Sequence, residues 1–124
     1  MDTVSTPNAP KAIGPYSQAT VLDNLVFVSG QIPADPKTGN LVEGSIAQQT
    51  RQVIANLEAI LTASGSDLAH VLKATCFLTD MADFAEFNTE YALHFCGLPA
   101  RECVAVAALP KGARVEISVI AQKL

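Results

Sequence analysis

The chain has 124 residues, 49% hydrophobic, 16% charged and 6% aromatic, with a formal net charge of −4. This length and composition describe one domain, residues 1–124, able to bury a core and too apolar to be disordered. The acidic balance, with eight lysines and arginines, gives no basic field for nucleic acid, and the low charged fraction suggests surface kept from water, as at a subunit interface. Pro7, Pro10 and Pro15 keep the first fifteen residues extended. From Gln18 to Ile32 the residues are β-formers, broken only at Asp23-Asn24, which predicts a hairpin of two strands. Four prolines and glycines make 33–44 a loop. Ser45 with Gln48 has capping-box spacing, and Ile46, Thr50, Val53, Ile54, Leu57, Ile60 and Leu61 then recur on one helical face until Gly65.

Val71 to Thr79 alternates, with Leu72, Ala74, Cys76 and Leu78 expected on one face of a strand. Asp83 and Glu86 open a second helix, with Phe84, Phe87, Tyr91, Ala92 and Phe95 as its apolar stripe and Gly97-Leu98-Pro99 as its end. Arg101–Leu109 and Arg114–Ile120 read as two further strands around Pro110-Lys111-Gly112. The order β-β-α-β-α-β-β predicts a mixed sheet with both helices on one face. The strands are apolar on both sides, as in Val104 to Ala107, so the uncovered face calls for a partner.

No run approaches a membrane helix and no signal peptide is visible. Three widely spaced cysteines, Cys76, Cys96 and Cys103, read as free thiols of a cytoplasmic protein. His70 and His94 are the only histidines, and no CxxC, HxxxH or HExxH occurs, so no metal site is expected. There is no GxSxG elbow, GxGxxG or GxxxxGK[ST] loop.

Arg51 falls on the polar side of the first helix and reads as solvated. Arg101 opens an apolar strand with few carboxylates nearby. It suits a bidentate grip on a small carboxylate, or else a structural ion pair. Glu116, mid-strand, faces either solvent or a pocket. A simple hairpin about Lys111 sets Glu116 opposite Val106 and on the order of 15 Å from Arg101. The two would converge on one ligand or meet across a subunit boundary. In Gly14-Pro15-Tyr16-Ser17 a rigid turn presents Tyr16 for packing or for a ligand. Gly30, after Ser29, allows close backbone approach. Asn88 is a surface or capping amide beside Phe87.

Together these residues resemble the RidA/YjgF family of enamine/imine deaminases, also labelled endoribonuclease L-PSP. The matching stretches are Ala12-Ile13-Gly14-Pro15-Tyr16-Ser17, Val28-Ser29-Gly30-Gln31-Ile32-Pro33, Asn56-Leu57, Asp83-Phe84, Phe87-Asn88 and Tyr91. The specific signature follows in Pro99-Ala100-Arg101-x-Cys103-Val104, Leu109-Pro110-Lys111 and Val115-Glu116-Ile117. The resemblance implies a chorismate-mutase-like α+β fold and a homotrimer with a central barrel and clefts between subunits. It implies hydrolysis of 2-imino or 2-enamino acids, such as 2-iminobutanoate and 2-iminopropanoate, to 2-oxo acids and ammonia without metal or cofactor. By position, Arg101 is then the carboxylate-gripping arginine and Glu116 the residue that positions or activates water. Cys103, Tyr16, Ser29, Gly30 and Asn88 match other cleft positions. The sequence departs from the family at Glu102, usually a small residue, and in the shorter Cys96-Gly97-Leu98 connection. The competing readings are a non-catalytic 2-oxo acid sensor on the same fold and a ribonuclease; the scarcity of arginine and the absence of a basic stripe argue against the latter.

Overall fold

The structure is a computed structural model describing residues 1–124. One six-stranded sheet runs in the order β1-β2-β3-β6-β4-β5, with β1 Asp2–Val4, β2 Ala19–Leu22, β3 Leu25–Gln31, β4 Val71–Leu78, β5 Ala100–Ala105 and β6 Val115–Gln122. All pairings are antiparallel except β4 with β5. Helices α1 (Ile46–Ala63) and α2 (Phe84–Ala92) pack against each other. This is a mixed α+β fold, as expected.

The capping box forms as the spacing predicts. Ser45 Oγ accepts from the Gln48 N–H at 3.2 Å, and Gln48 Oε1 accepts from the Ser45 N–H at 2.8 Å. Gly65, at φ 81°, follows the last turn in the left-handed conformation that glycine adopts without strain. The apolar stripe of α1 then meets the alternate residues of the sheet. Val26 and Val28 of β3, Ala74, Cys76 and Leu78 of β4, and Val115, Ile117, Val119 and Ala121 of β6 join one continuous cluster of 23 buried residues.

Several expectations need correction. The first residues are not merely extended: Asp2–Val4 pair with Ala19–Val21 as an edge strand. Leu72 is half exposed and Val71 is buried in its place, because the register shifts between Val71 and Lys73. Helix α2 stops at Ala92, so Phe95 is buried from the following turn. Asp83 does not cap α2 with its side chain; its carboxylate instead accepts from Arg114 at 3.1 and 3.2 Å. Glu86 accepts from the Ala47 N–H of α1 at 3.0 Å. The strand begun at Arg101 ends at Ala105 rather than Leu109.

The largest correction is topological. The last two strands form no hairpin, because β4 lies between them. Glu116 pairs with Phe77, and Phe77 with Val104, so Val106 is not opposite Glu116. Parallel β4–β5 pairing needs the α2 crossover, and the central place that crossover gives β4 separates β5 from β6. The sheet face away from the helices carries Leu22, Phe27 and Val104, all substantially exposed. No helix of the chain is long and apolar enough to cross a membrane.

Candidate functional site

Register determines where each candidate residue points. Ala74 pairs with Arg101 and Val119, whereas Phe77 pairs with Glu116. Ala74 and Val119 are buried under the helices, so the Arg101 side chain leaves the sheet on the helix side. Glu116 alternates with the buried Val115 and Ile117 and leaves on the open side. Within one chain these two side chains therefore stand on opposite faces.

Arg101 is held from α2. Its Nη1 donates to Asn88 Oδ1 at 2.6 Å. Its guanidinium carbon lies 4.7 Å from the centre of the Tyr91 ring and 5.7 Å from that of Phe84. Helical spacing places Phe84, Asn88 and Tyr91 on one face of α2. The ion pairs of the chain engage Arg51, His70, Lys73, His94 and Arg114. Arg101 therefore keeps donors free of any carboxylate while its cation rests over aromatic rings.

Tyr91 stacks on Phe95 with centroids 4.2 Å apart. Burial pushes the Tyr91 hydroxyl up to about 12 and keeps it neutral. Cys103 is in register with Cys76 on the same face. Burial raises both thiols, Cys76 to about 12, while the nearby Arg101 opposes the rise. These thiols are poor nucleophiles near neutrality. The third, Cys96, is exposed, and all three are free.

The second group gathers around β3. Between Val28 and Gln31 the β3–β6 register shifts, and this irregularity brings Gly30 against Glu116. A Cβ on Gly30 would lie 2.6 Å from Glu116 Oε2. Ser29 Oγ donates to the Ser17 carbonyl at 2.6 Å, tying the Tyr16 turn to the strand. Tyr16 is half exposed and lines a cavity of about 530 Å³ together with Gly30. The Glu116 carboxyl is raised above the ordinary carboxylate range by burial. No side-chain hydrogen bond or ion pair offsets that burial.

The seven predicted residues thus fall into two sets, Asn88, Arg101 and Cys103 on the helix side and Tyr16, Ser29, Gly30 and Glu116 on the open side. Sequence reading assigned Phe84 and Tyr91 to the core alone. Their i, i+4 and i, i+3 spacing from Asn88 was the available signal for the bed they make. The chain presents no cluster of three metal-ligating side chains. Arg51 is not merely solvated, since it pairs with the buried Glu90 at 2.9 Å, and His94 reaches the same carboxylate at 2.7 Å.

Comparison with known proteins bears on the family and the fold. Residues 6–123 match the family model described as endoribonuclease L-PSP. A RutC family protein of Pyrococcus horikoshii is 52% identical, covering 98% of each chain. The 2-iminobutanoate/2-iminopropanoate deaminase of Rattus norvegicus is 50% identical over 95% of this chain and 87% of its own. A Thermotoga maritima crystal structure superimposes with a TM-score of 0.97 at 51% identity, covering 100% of this chain and 98% of that one. With the match running almost end to end in sequence and in fold, the chain belongs to the RidA/YjgF family, the family whose model is described as endoribonuclease L-PSP.

Proposed function

We propose that the protein hydrolyses reactive 2-imino and 2-enamino acids, such as 2-iminobutanoate and 2-iminopropanoate, to 2-oxo acids and ammonia. The observation that carries this reading is Arg101, an arginine without a carboxylate partner, set over the Tyr91 ring and braced by Asn88. That arrangement suits two parallel hydrogen bonds to a substrate carboxylate. The deaminase name of relatives at about 50% identity supports the same reading.

An iminium carbon is already electrophilic, so positioning and one proton acceptor are enough. Water attacks the carbon, the C=N π pair moves to nitrogen, and the water proton passes to Glu116. The proton is then returned to the amine nitrogen. The C–N bond breaks, ammonia leaves, and loss of the hydroxyl proton gives the 2-oxo acid. Burial that raises Glu116 brings its basicity closer to neutral pH and strengthens it as an acceptor.

Because Arg101 and Glu116 leave opposite sheet faces, one chain does not bring them together. The reading therefore includes a homotrimer, with Arg101, Asn88 and Cys103 of one protomer facing Tyr16, Ser29, Gly30 and Glu116 of the next. The exposed Leu22, Phe27 and Val104 supply the apolar face for that assembly. RNA cleavage is disfavoured, since Arg51 and Arg114 are engaged by Glu90 and Asp83 and the chain carries a net charge of −4.

The test couples threonine dehydratase to this protein and follows 2-oxobutanoate release. Faster release than with the dehydratase alone is expected. Unchanged release, or a monomer mass by light scattering, overturns the reading.

A further inference from the structure

The cavity that opens at Gly30 has a charge pattern that the proposed chemistry does not use. Lys11, Lys37 and Lys111 line it, and its fifteen lining residues include no aspartate or glutamate. These are three of the eight cationic side chains in a chain of net charge −4, and none of them forms an ion pair. Asp35, between the lining residues Ala34 and Pro36, accepts from the Lys37 backbone N–H at 2.8 Å and is not itself part of the lining.

The groove is built rather than incidental. Gln18 and Gln31 lie among its lining residues and are 3% and 6% exposed. Lys111 holds a left-handed backbone at φ 58°, which is unfavourable for a residue with a Cβ. Its Nζ donates to the Gly39 carbonyl at 3.0 Å, joining the 110–112 turn to the 33–44 loop across the groove. Glu116 adjoins the lining residue Gly30 without itself lining the groove. An anionic group entering here meets three lysines and no lining carboxylate.

We infer that this groove receives the acidic side chain of the substrate, so that imino acids bearing a second carboxylate are favoured over those with short alkyl side chains. This specificity rests on the proposed function only for the reaction; the binding it predicts is measured without turnover. Three exposed lysine contacts, each worth a factor of about two, give about tenfold together.

Calorimetric titration of the assembled protein with 2-oxoglutarate and with 2-oxobutanoate at low ionic strength tests it. The dicarboxylate is expected to bind about tenfold more tightly, and the ratio to fall toward one in 0.5 M salt. In Lys11→Gln/Lys37→Gln/Lys111→Gln the ratio is expected to collapse, whereas Lys123→Gln keeps it. Equal affinities in the parent, or a ratio that survives the triple substitution, overturn the inference. If 2-iminobutanoate is hydrolysed without a dicarboxylate preference, the proposed function stands and the groove assignment falls. If a lysine-dependent preference appears without any deamination, the groove assignment stands and the proposed function falls.

Discussion

Replacing Gly30 with alanine perturbs one atom and one distance. The backbone at Gly30 is outside the left-handed region, so alanine introduces no conformational strain there. The added Cβ would lie 2.6 Å from Glu116 Oε2 and 2.8 Å from its Cδ. An ordinary contact begins near 3.4 Å, so the carboxylate must retreat by about 0.8 Å. The side chain is flexible at that end, and the fold absorbs the move. Loss of chain entropy in the unfolded state favours alanine by about 0.4–1 kcal/mol, so Tm should change by only a few degrees. A displacement near 1 Å at a reacting group costs on the order of 100-fold in rate. The expected result is a kcat for 2-iminobutanoate reduced about 100-fold with the melting transition intact. Gly30→Ala placed in a Glu116→Ala background should add no further loss, since both act through one carboxylate. A Gly30→Ala enzyme within about threefold of the parent kcat, or additive losses in the pair, would refute the reasoning.

Four further outcomes follow from the same geometry. Arg101→Lys keeps the charge but loses the planar fork and the stacking on Tyr91; steady-state kinetics should show KM rising about tenfold or more, and an unchanged KM would remove Arg101 from carboxylate binding. Burial raises the Glu116 carboxyl, so kcat/KM should climb with pH through a limb above the ordinary carboxylate range, and Glu116→Gln should erase that limb. The folded chain also binds this proton more tightly than the unfolded one, so the Glu116 contribution is favourable at low pH and lost as pH rises through the folded value. Calorimetry should therefore show Glu116→Gln more stable than the parent near pH 7, with the gap closing in acid. The opposite sign holds for Glu90, whose carboxyl is lowered first by the Arg51 hydrogen bond and then by His94 against its burial: Glu90→Gln should lower Tm at neutral pH, the difference vanishing as acid protonates the parent.

Helix α1 was legible because its information is local. A capping box, an apolar period and a glycine stop all lie within 21 residues, and each specifies the same helix. The β2–β3 hairpin was legible for the same reason. The chemistry-bearing residue types were legible too, through the resemblance and through the oddity of an arginine and a glutamate inside apolar strands. Leu72 was misplaced because a one-residue register shift inverts a strand's faces, and nothing local announces it.

By itself the sequence determined the element types, the α+β class, the apolar surplus and the family. The relation between Arg101 and Glu116 belongs to tertiary structure. Their 15-residue separation suggested a hairpin, yet strand order is set by long-range pairing, and β4 inserts between the two strands. That insertion, with the parity of the register, sends the guanidinium to the helix side and the carboxylate to the open side. The aromatic bed under Arg101 and the contact of Gly30 with Glu116 arise the same way. Each joins residues far apart in the chain, at distances that depend on how helix and strands dock.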